Sequence, residues 1–214
     1  MKFQNRCLFV LTIAVAAGCS NLPRSRDLAN PDVAGATLAQ QVCSNCHGVA
    51  GAATSPNFPN LAAQQKEYLA AQLTQFRSHS RRDPAGYEYM WGISRVLTDR
   101  QISELADYYA AQQPTHRTRE NAAAKVDAGR ALFTTGVTAK SVPSCASCHG
   151  QNGEGSGKIP RIAGQHQNYL IKQLTAFQRT DERPAGVVMK AVAHDLSHDE
   201  IIAVTAYAQS LATD

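Results

Sequence analysis

The pentad Cys43-Ser44-Asn45-Cys46-His47 returns as Cys145-Ala146-Ser147-Cys148-His149, and nothing else in this chain limits its fold so tightly. Two thiols three positions apart, followed at once by an imidazole, form the attachment pattern of a c-type haem. Each thiol can add across a vinyl group of the porphyrin, which leaves the adjacent histidine to ligate the iron. Paired CxxC units also build zinc ribbons, but with about 15–20 residues between the pairs. Here the pairs stand far apart, at 43–46 and 145–148, and each ends in histidine. A thioredoxin-type dithiol requires a βαβ setting, and no run shows convincing strand alternation. The sequence therefore predicts two haem c groups held by Cys43, Cys46, Cys145 and Cys148, with His47 and His149 as iron ligands.

The two remaining cysteines, Cys7 and Cys19, lie close to the amino terminus. Lys2 and Arg6 flank the start of an apolar run from Cys7 to Ala17, and small residues follow. That is the form of a secretory signal, too short for a comfortable membrane span. Ala16-Ala17-Gly18-Cys19 resembles a bacterial lipobox, with Ala16 where leucine is usual. We expect residues 1–18 to be a signal peptide and Cys19 to be the lipidated first residue of the mature protein, because a spare thiol is a liability in an oxidising compartment. Ordinary signal-peptidase cleavage near the same point is the alternative. Residues 19–34, with Pro23 and Pro31, read as a polar tether that holds a folded domain off a membrane surface. No other stretch is apolar enough to span a bilayer.

Beyond the tether the chain repeats itself. Pro59-Asn60-Leu61-Ala62 answers Pro160-Arg161-Ile162-Ala163, Tyr68-Leu69 answers Tyr169-Leu170, and Pro84-Ala85-Gly86 answers Pro184-Ala185-Gly186. The offset drifts only from 102 at the cysteines to 99 at Met90 and Met189. Two homologous domains are expected, at 35–113 and 128–214, with 114–127 as the linker. Tyr68, Leu69, Leu73 and Phe76 fall at helical spacing, as do Tyr169, Leu170, Leu174 and Phe177. Thr98-Asp99-Arg100-Gln101 and Ser197-His198-Asp199-Glu200 match the capping box that opens a helix. Ile102, Leu105, Ala106 and Tyr109 then form one apolar stripe, mirrored by Ile201, Val204, Thr205 and Ala208. Short helices starting near Gly35 and Gly129 should lead into the pentads, and the extra residues of the second repeat should form a loop within Thr134 to Ser144. The expected fold is all-α: two tandem helical domains, each wrapped around one covalent haem. Domains this small bury too little apolar surface to be comfortably stable alone, and the porphyrin supplies the missing core.

Besides Met1, the chain holds only two methionines, Met90 and Met189, 43 and 40 residues after His47 and His149. Methionine is ordinarily a flexible core filler. Its strict pairing with the haem repeats instead marks Met90 and Met189 as the second axial ligands, a His/Met arrangement that raises reduction potential. Two protein ligands leave no coordination position for a substrate, which points to an electron carrier and away from an enzyme. His79, His166, His194 and His198 are the competing ligands, and none recurs in the other repeat; His194 is the strongest of them. Pro59 and Pro160 follow the haem histidines by 12 and 11 residues. A carbonyl there could accept the histidine's other N–H and fix the ring, and a simple loop proline is the equal alternative.

Together these motifs resemble the dihaem cytochrome c4 family, two tandem class I cytochrome c domains. The resemblance is carried by Cys43–His47 with Pro59-Asn60-Leu61-Ala62, and by Cys145–Gly150 with Ile159-Pro160-Arg161-Ile162-Ala163-Gly164-Gln165. Met189 and Leu196-Ser197-His198-Asp199-Glu200-Ile201 complete it. It covers residues 35 to 212, nearly all of the mature chain. It implies cytochrome c-like folds and periplasmic shuttling of electrons between a respiratory quinol-oxidising complex and a terminal oxidase. It also implies that the haem propionate edges meet near a pseudo-twofold interface.

Charge adds a boundary. The formal charge of +4 includes Lys2 and Arg6, so the mature chain carries +2, and four propionates would take the holoprotein toward neutral or acidic. Nucleic acid is not an expected partner, and neither is a small-molecule substrate; redox proteins are, and a membrane through Cys19. Arg77, Arg81 and Arg82 form the densest basic group, which reads as a solvated helix end more readily than as a docking face or a propionate clamp. Two other functions stay open. The chain could serve as the cytochrome subunit of a periplasmic dehydrogenase, or as a dihaem peroxidase, which needs one iron open to substrate and is opposed by Met90 and Met189.

Overall fold

Proline and glycine cut each repeat into short helices of the same order. In the computed structural model the first repeat builds α1 (Gly35–Leu38), which runs through a π-helical segment (Ala39–Cys43) into α2 (Ser44–His47). It continues with α3 (Lys66–Arg77), a second π segment (Gly86–Met90) leading into α4 (Trp91–Ser94), and α5 (Asp99–Ala110). The second repeat builds α6 (Ala123–Thr135), α7 (Ala146–His149), α8 (Gln167–Gln178), α9 (Val187–Ala193) and α10 (His198–Ser210). The structure describes residues 26–114, 123–179 and 181–211. The expected signal, Cys19 and most of the expected linker lie outside them. Among the described residues no strand forms, only the isolated bridges Val137–Val142 and Ser156–Ile159. No described helix is long and apolar enough to cross a membrane.

Both capping boxes form. The Thr98 hydroxyl accepts from the Gln101 backbone N–H, and Ser197 accepts from that of Glu200, with the Gln101 and Glu200 side chains reaching back to the cap residues' own N–H groups. These boxes orient α5 and α10 so that both stripes turn inward: Ile102, Leu105, Ala106 and Tyr109 are buried, as are Ile201, Val204, Thr205 and Ala208. α5 packs against α1 and α3, and α10 against α6 and α8. Each repeat thus has its own core, one around Leu38, Leu69, Leu97 and Leu105, the other around Leu132, Phe133, Leu196 and Val204. Glycine permits the tightest crossings. A Cβ on Gly35 would strike Glu104 of α5, and one on Gly129 would strike the Ala203 carbonyl of α10.

The helix leading to the second pentad departs from expectation. α6 starts at Ala123, ahead of Gly129 and inside the stretch expected to be linker. Ala123-Ala124-Lys125 are strong helix formers, whereas Pro31 stands shortly before α1 in the first repeat. The extra residues fall within the expected loop, where Val137 and Val142 bridge across a 3₁₀ turn (Thr138–Lys140).

The basic group also departs from expectation, because Arg81 is buried. A left-handed turn at His79 (φ 57°) closes α3 and folds the chain back. The Arg81 guanidinium consequently lies 4.4 Å over the Phe76 ring and pairs with Asp83 through both carboxylate oxygens at 2.9 Å. Arg81 donates to Gln72 of its own repeat and to Gln173 of the other, while Arg183 donates to the same two side-chain oxygens. Gln72 and Gln173 are repeat equivalents, and Arg183 lies over the Phe177 ring as Arg81 lies over that of Phe76, so the quartet has pseudo-twofold symmetry and locks the two halves together.

Burial would raise the Asp83 carboxyl, but the hydrogen bond and charge of Arg81, with the charge of Arg183, hold it below its ordinary value. Its contribution to stability is therefore present above the unfolded carboxyl value of about 3.9 and is lost as pH falls through the lower folded value. Arg81→Met leaves that carboxylate buried without its main partner. It should cost about 3–5 kcal/mol in denaturant unfolding at neutral pH, and less at acidic pH, where Asp83 is protonated. A cost independent of pH would separate Arg81 from Asp83 energetically.

Candidate haem sites and the interface between them

In each pentad the first cysteine caps a short helix that stops immediately after the histidine. Gly48 and Gly150 follow with φ of +75° and +85°, a conformation that strains any residue with a Cβ, and the chain swings away from the ring. Helical spacing places the first cysteine and the histidine one turn apart, with the second cysteine beside them. The four thiols are not joined as disulfides. Burial pushes the Cys43 and Cys145 thiols up to about 11 each, so both are protonated at neutral pH. Among the described residues no three His, Cys, Asp or Glu side chains gather into a metal cluster, and the four-ligand assembly of a zinc ribbon does not form.

The histidines are held as the proline spacing suggested. His47 Nδ1 lies 3.0 Å from the Pro59 carbonyl oxygen, and His149 Nδ1 lies 2.8 Å from that of Pro160. Burial lowers both imidazoles below their ordinary pKa, and the proline contacts offset only part of that. A neutral imidazole has one N–H, and a carbonyl can only accept. The proton therefore sits on Nδ1, and Nε2 keeps a free lone pair.

Met90 and Met189 occupy matching places between the middle and last helices of their repeats, Met90 at the end of the π segment before α4 and Met189 in α9. Both are half-buried. In the first repeat Phe58 links the two sides, its ring 6.1 Å from that of His47 and 5.8 Å from that of Tyr89, the neighbour of Met90. The competing histidines are otherwise engaged. His79 stacks on Trp91 at 4.4 Å, His194 pairs with Asp195 at the surface, and His198 is exposed in the first turn of α10. His166 is buried, and its Nε2 donates to the Ala53 carbonyl of the other repeat at 2.9 Å.

The interface was not legible in the motifs. The Gln64 side chain accepts from the Arg161 N–H at 2.7 Å and donates to the Arg161 carbonyl at 2.9 Å. Gln165 does the same to Asn60, at 2.8 and 2.9 Å. Gln65 donates to the Glu154 carbonyl just as His166 donates to that of Ala53. The available signal was polar identity across the repeat, with Gln64 matching Gln165 and Gln72 matching Gln173.

These residues fit a haem in each half. A free Nε2, two unlinked thiols and a paired methionine supply the donor set. At the interface the Asp83 carboxylate is hydrogen-bonded to Arg81 and not to Arg183, and the Arg183 Nε is buried without a hydrogen-bond partner among the described residues. An anionic acceptor such as a propionate suits that unpartnered donor.

The cytochrome c family model matches residues 33–111 and again 126–212. A cytochrome c-552 of Acidithiobacillus ferridurans is 39% identical over 170 residues, covering 79% of this chain and 73% of that protein. A thiosulfate dehydrogenase electron acceptor of Stutzerimonas stutzeri is 33% identical over 177 residues, covering 81% and 80%. The solved structure of a cytochrome c4 from Acidithiobacillus ferrooxidans superposes with a TM-score of 0.74 at 38% identity, covering 79% of this chain and 98% of that one.

Proposed function

We propose, from the premise that this chain belongs to the cytochrome c family as a two-domain cytochrome c4, that Cys43 and Cys46 hold one haem and Cys145 and Cys148 the other. The protein is an electron carrier with two covalent haem c groups, and its partners are redox proteins. When bound, each haem supplies an iron that changes by one electron between ferric and ferrous. His47 and His149 would hold the iron through Nε2, and Met90 and Met189 through their sulfurs. The observation that carries this reading is the matched pair of proline contacts, which fixes both imidazoles in the tautomer and orientation a ligand requires. With a histidine and a methionine holding each iron, no position would be left for a substrate and little would rearrange as the charge changes. The signal-like terminus supports export to the periplasm, with Cys19 as a lipid anchor.

A dehydrogenase partner is the second reading, favoured by the likeness to a thiosulfate dehydrogenase electron acceptor. In either role, a redox titration of the purified protein should take up two electrons per chain, and carbon monoxide should leave the reduced spectrum unchanged. Stoichiometric carbon monoxide binding would open one iron and return the peroxidase alternative.

A further inference from the structure

Two amides at the domain interface are bonded at both ends. The carbonyl of the Pro59–Asn60 amide accepts from His47 Nδ1 at 3.0 Å, and its N–H donates to Gln165 Oε1 at 2.8 Å. The carbonyl of the Pro160–Arg161 amide accepts from His149 Nδ1 at 2.8 Å, and its N–H donates to Gln64 Oε1 at 2.7 Å. In both relays the terminal glutamine comes from the opposite domain. Each is fixed by a second bond from its Nε2 to the next carbonyl, and Gln165 is only 5% and Gln64 only 6% exposed.

We infer that Gln165 and Gln64 are crossed positioning residues, Gln165 setting the reduction potential of the haem at His47 and Gln64 that of the haem at His149. The inference rests on His47 and His149 being iron ligands. An amide whose N–H is donated carries more negative charge on its oxygen, and linked hydrogen bonds strengthen one another by about 10–30% per bond in a low-dielectric interior. The stronger oxygen draws the Nδ1 proton outward and makes Nε2 a better donor. A better donor stabilises ferric over ferrous iron. Each domain thus lowers the potential of the other, through one buried amide and without direct contact between the ligands.

The test uses the full-length holoprotein carrying Gln165→Leu or Gln64→Leu, with each haem followed by its own NMR signals during a redox titration. Mass spectrometry and a haemochrome spectrum first establish two covalent haems per chain; their absence would count against the ligand reading and not against the relay. Gln165→Leu should shift the ferrous/ferric equilibrium of the first-domain haem about threefold toward ferrous, a rise of about 28 mV at 59 mV per tenfold. The second-domain haem should stay in place. Gln64→Leu should give the reverse pattern. A shift confined to the mutated domain, an equal shift of both haems, or none overturns the relay. If Gln165→Leu fails to fold, Gln165→Glu retains an acceptor and should lower the first-domain haem more than the second; equal movement is again fatal to it.

Discussion

Changing Cys145 and Cys148 to alanine should halve the covalent haem content, leaving one group per chain attached through Cys43 and Cys46. The reciprocal pair, Cys43→Ala with Cys46→Ala, should leave one attached through the second repeat. Denaturing mass spectrometry and haem staining after periplasmic expression read the outcome directly. The independence follows from the architecture, since each pentad lies on its own short helix and packs against its own core: Cys43 against the Leu38–Leu105 cluster, Cys145 against the Leu132–Phe133 cluster. The damage should not stop at attachment. A small helical domain deprived of its porphyrin loses much of the apolar surface it folds around, and the orphaned half should become protease-sensitive. The surviving half loses partners for Asn60 and Gln64, or for Arg161 and Gln165, so its melting should also shift. Two covalent haems persisting in either double variant would move the attachment sites away from these pentads.

What the sequence disclosed and what it concealed have separate physical origins. Capping boxes, apolar stripes and pentads are local, set by residues within one or two turns, and Thr98, Ser197, Ile102 and Ile201 all lie where their neighbours dictate. The His47–Pro59 and His149–Pro160 contacts were half legible, because the spacing of 12 and 11 residues suits a carbonyl acceptor and a plain loop proline equally well. Arg81 was misread because its surroundings come from elsewhere. A charged residue just past a helix usually meets water, and only the left-handed turn at His79 and the docking of Gln173 and Arg183 bury it. Gln64 and Gln165 had the same disguise. Polar side chains facing another domain look like polar side chains facing solvent until the second surface is present. The early start of α6 is a smaller case, in which helix propensity extended an element past the point set by analogy with its proline-limited counterpart.

The methionines offer the sharpest division between ligand and core filler. Met90→Ala and Met189→Ala should each remove half of the weak long-wavelength band that arises from sulfur-to-ferric charge transfer, measured on the oxidised protein at known haem content. Each should also lower one of the two reduction potentials by about 0.1–0.3 V, within the span of about 0.8 V that axial ligands command. The direction follows from the loss of a soft donor that favours the ferrous state. A methionine that only filled space would behave differently: its removal would cost about 2–5 kcal/mol of stability and leave the band at full strength. Histidine at the same positions adds a check that does not depend on an empty coordination site. Met90→His should keep the iron six-coordinate and closed to carbon monoxide, abolish that haem's share of the band, and still lower its potential, because imidazole is the more basic ligand. A full band in Met90→Ala would remove Met90 from the iron, and with it the symmetry that pairs the two sites.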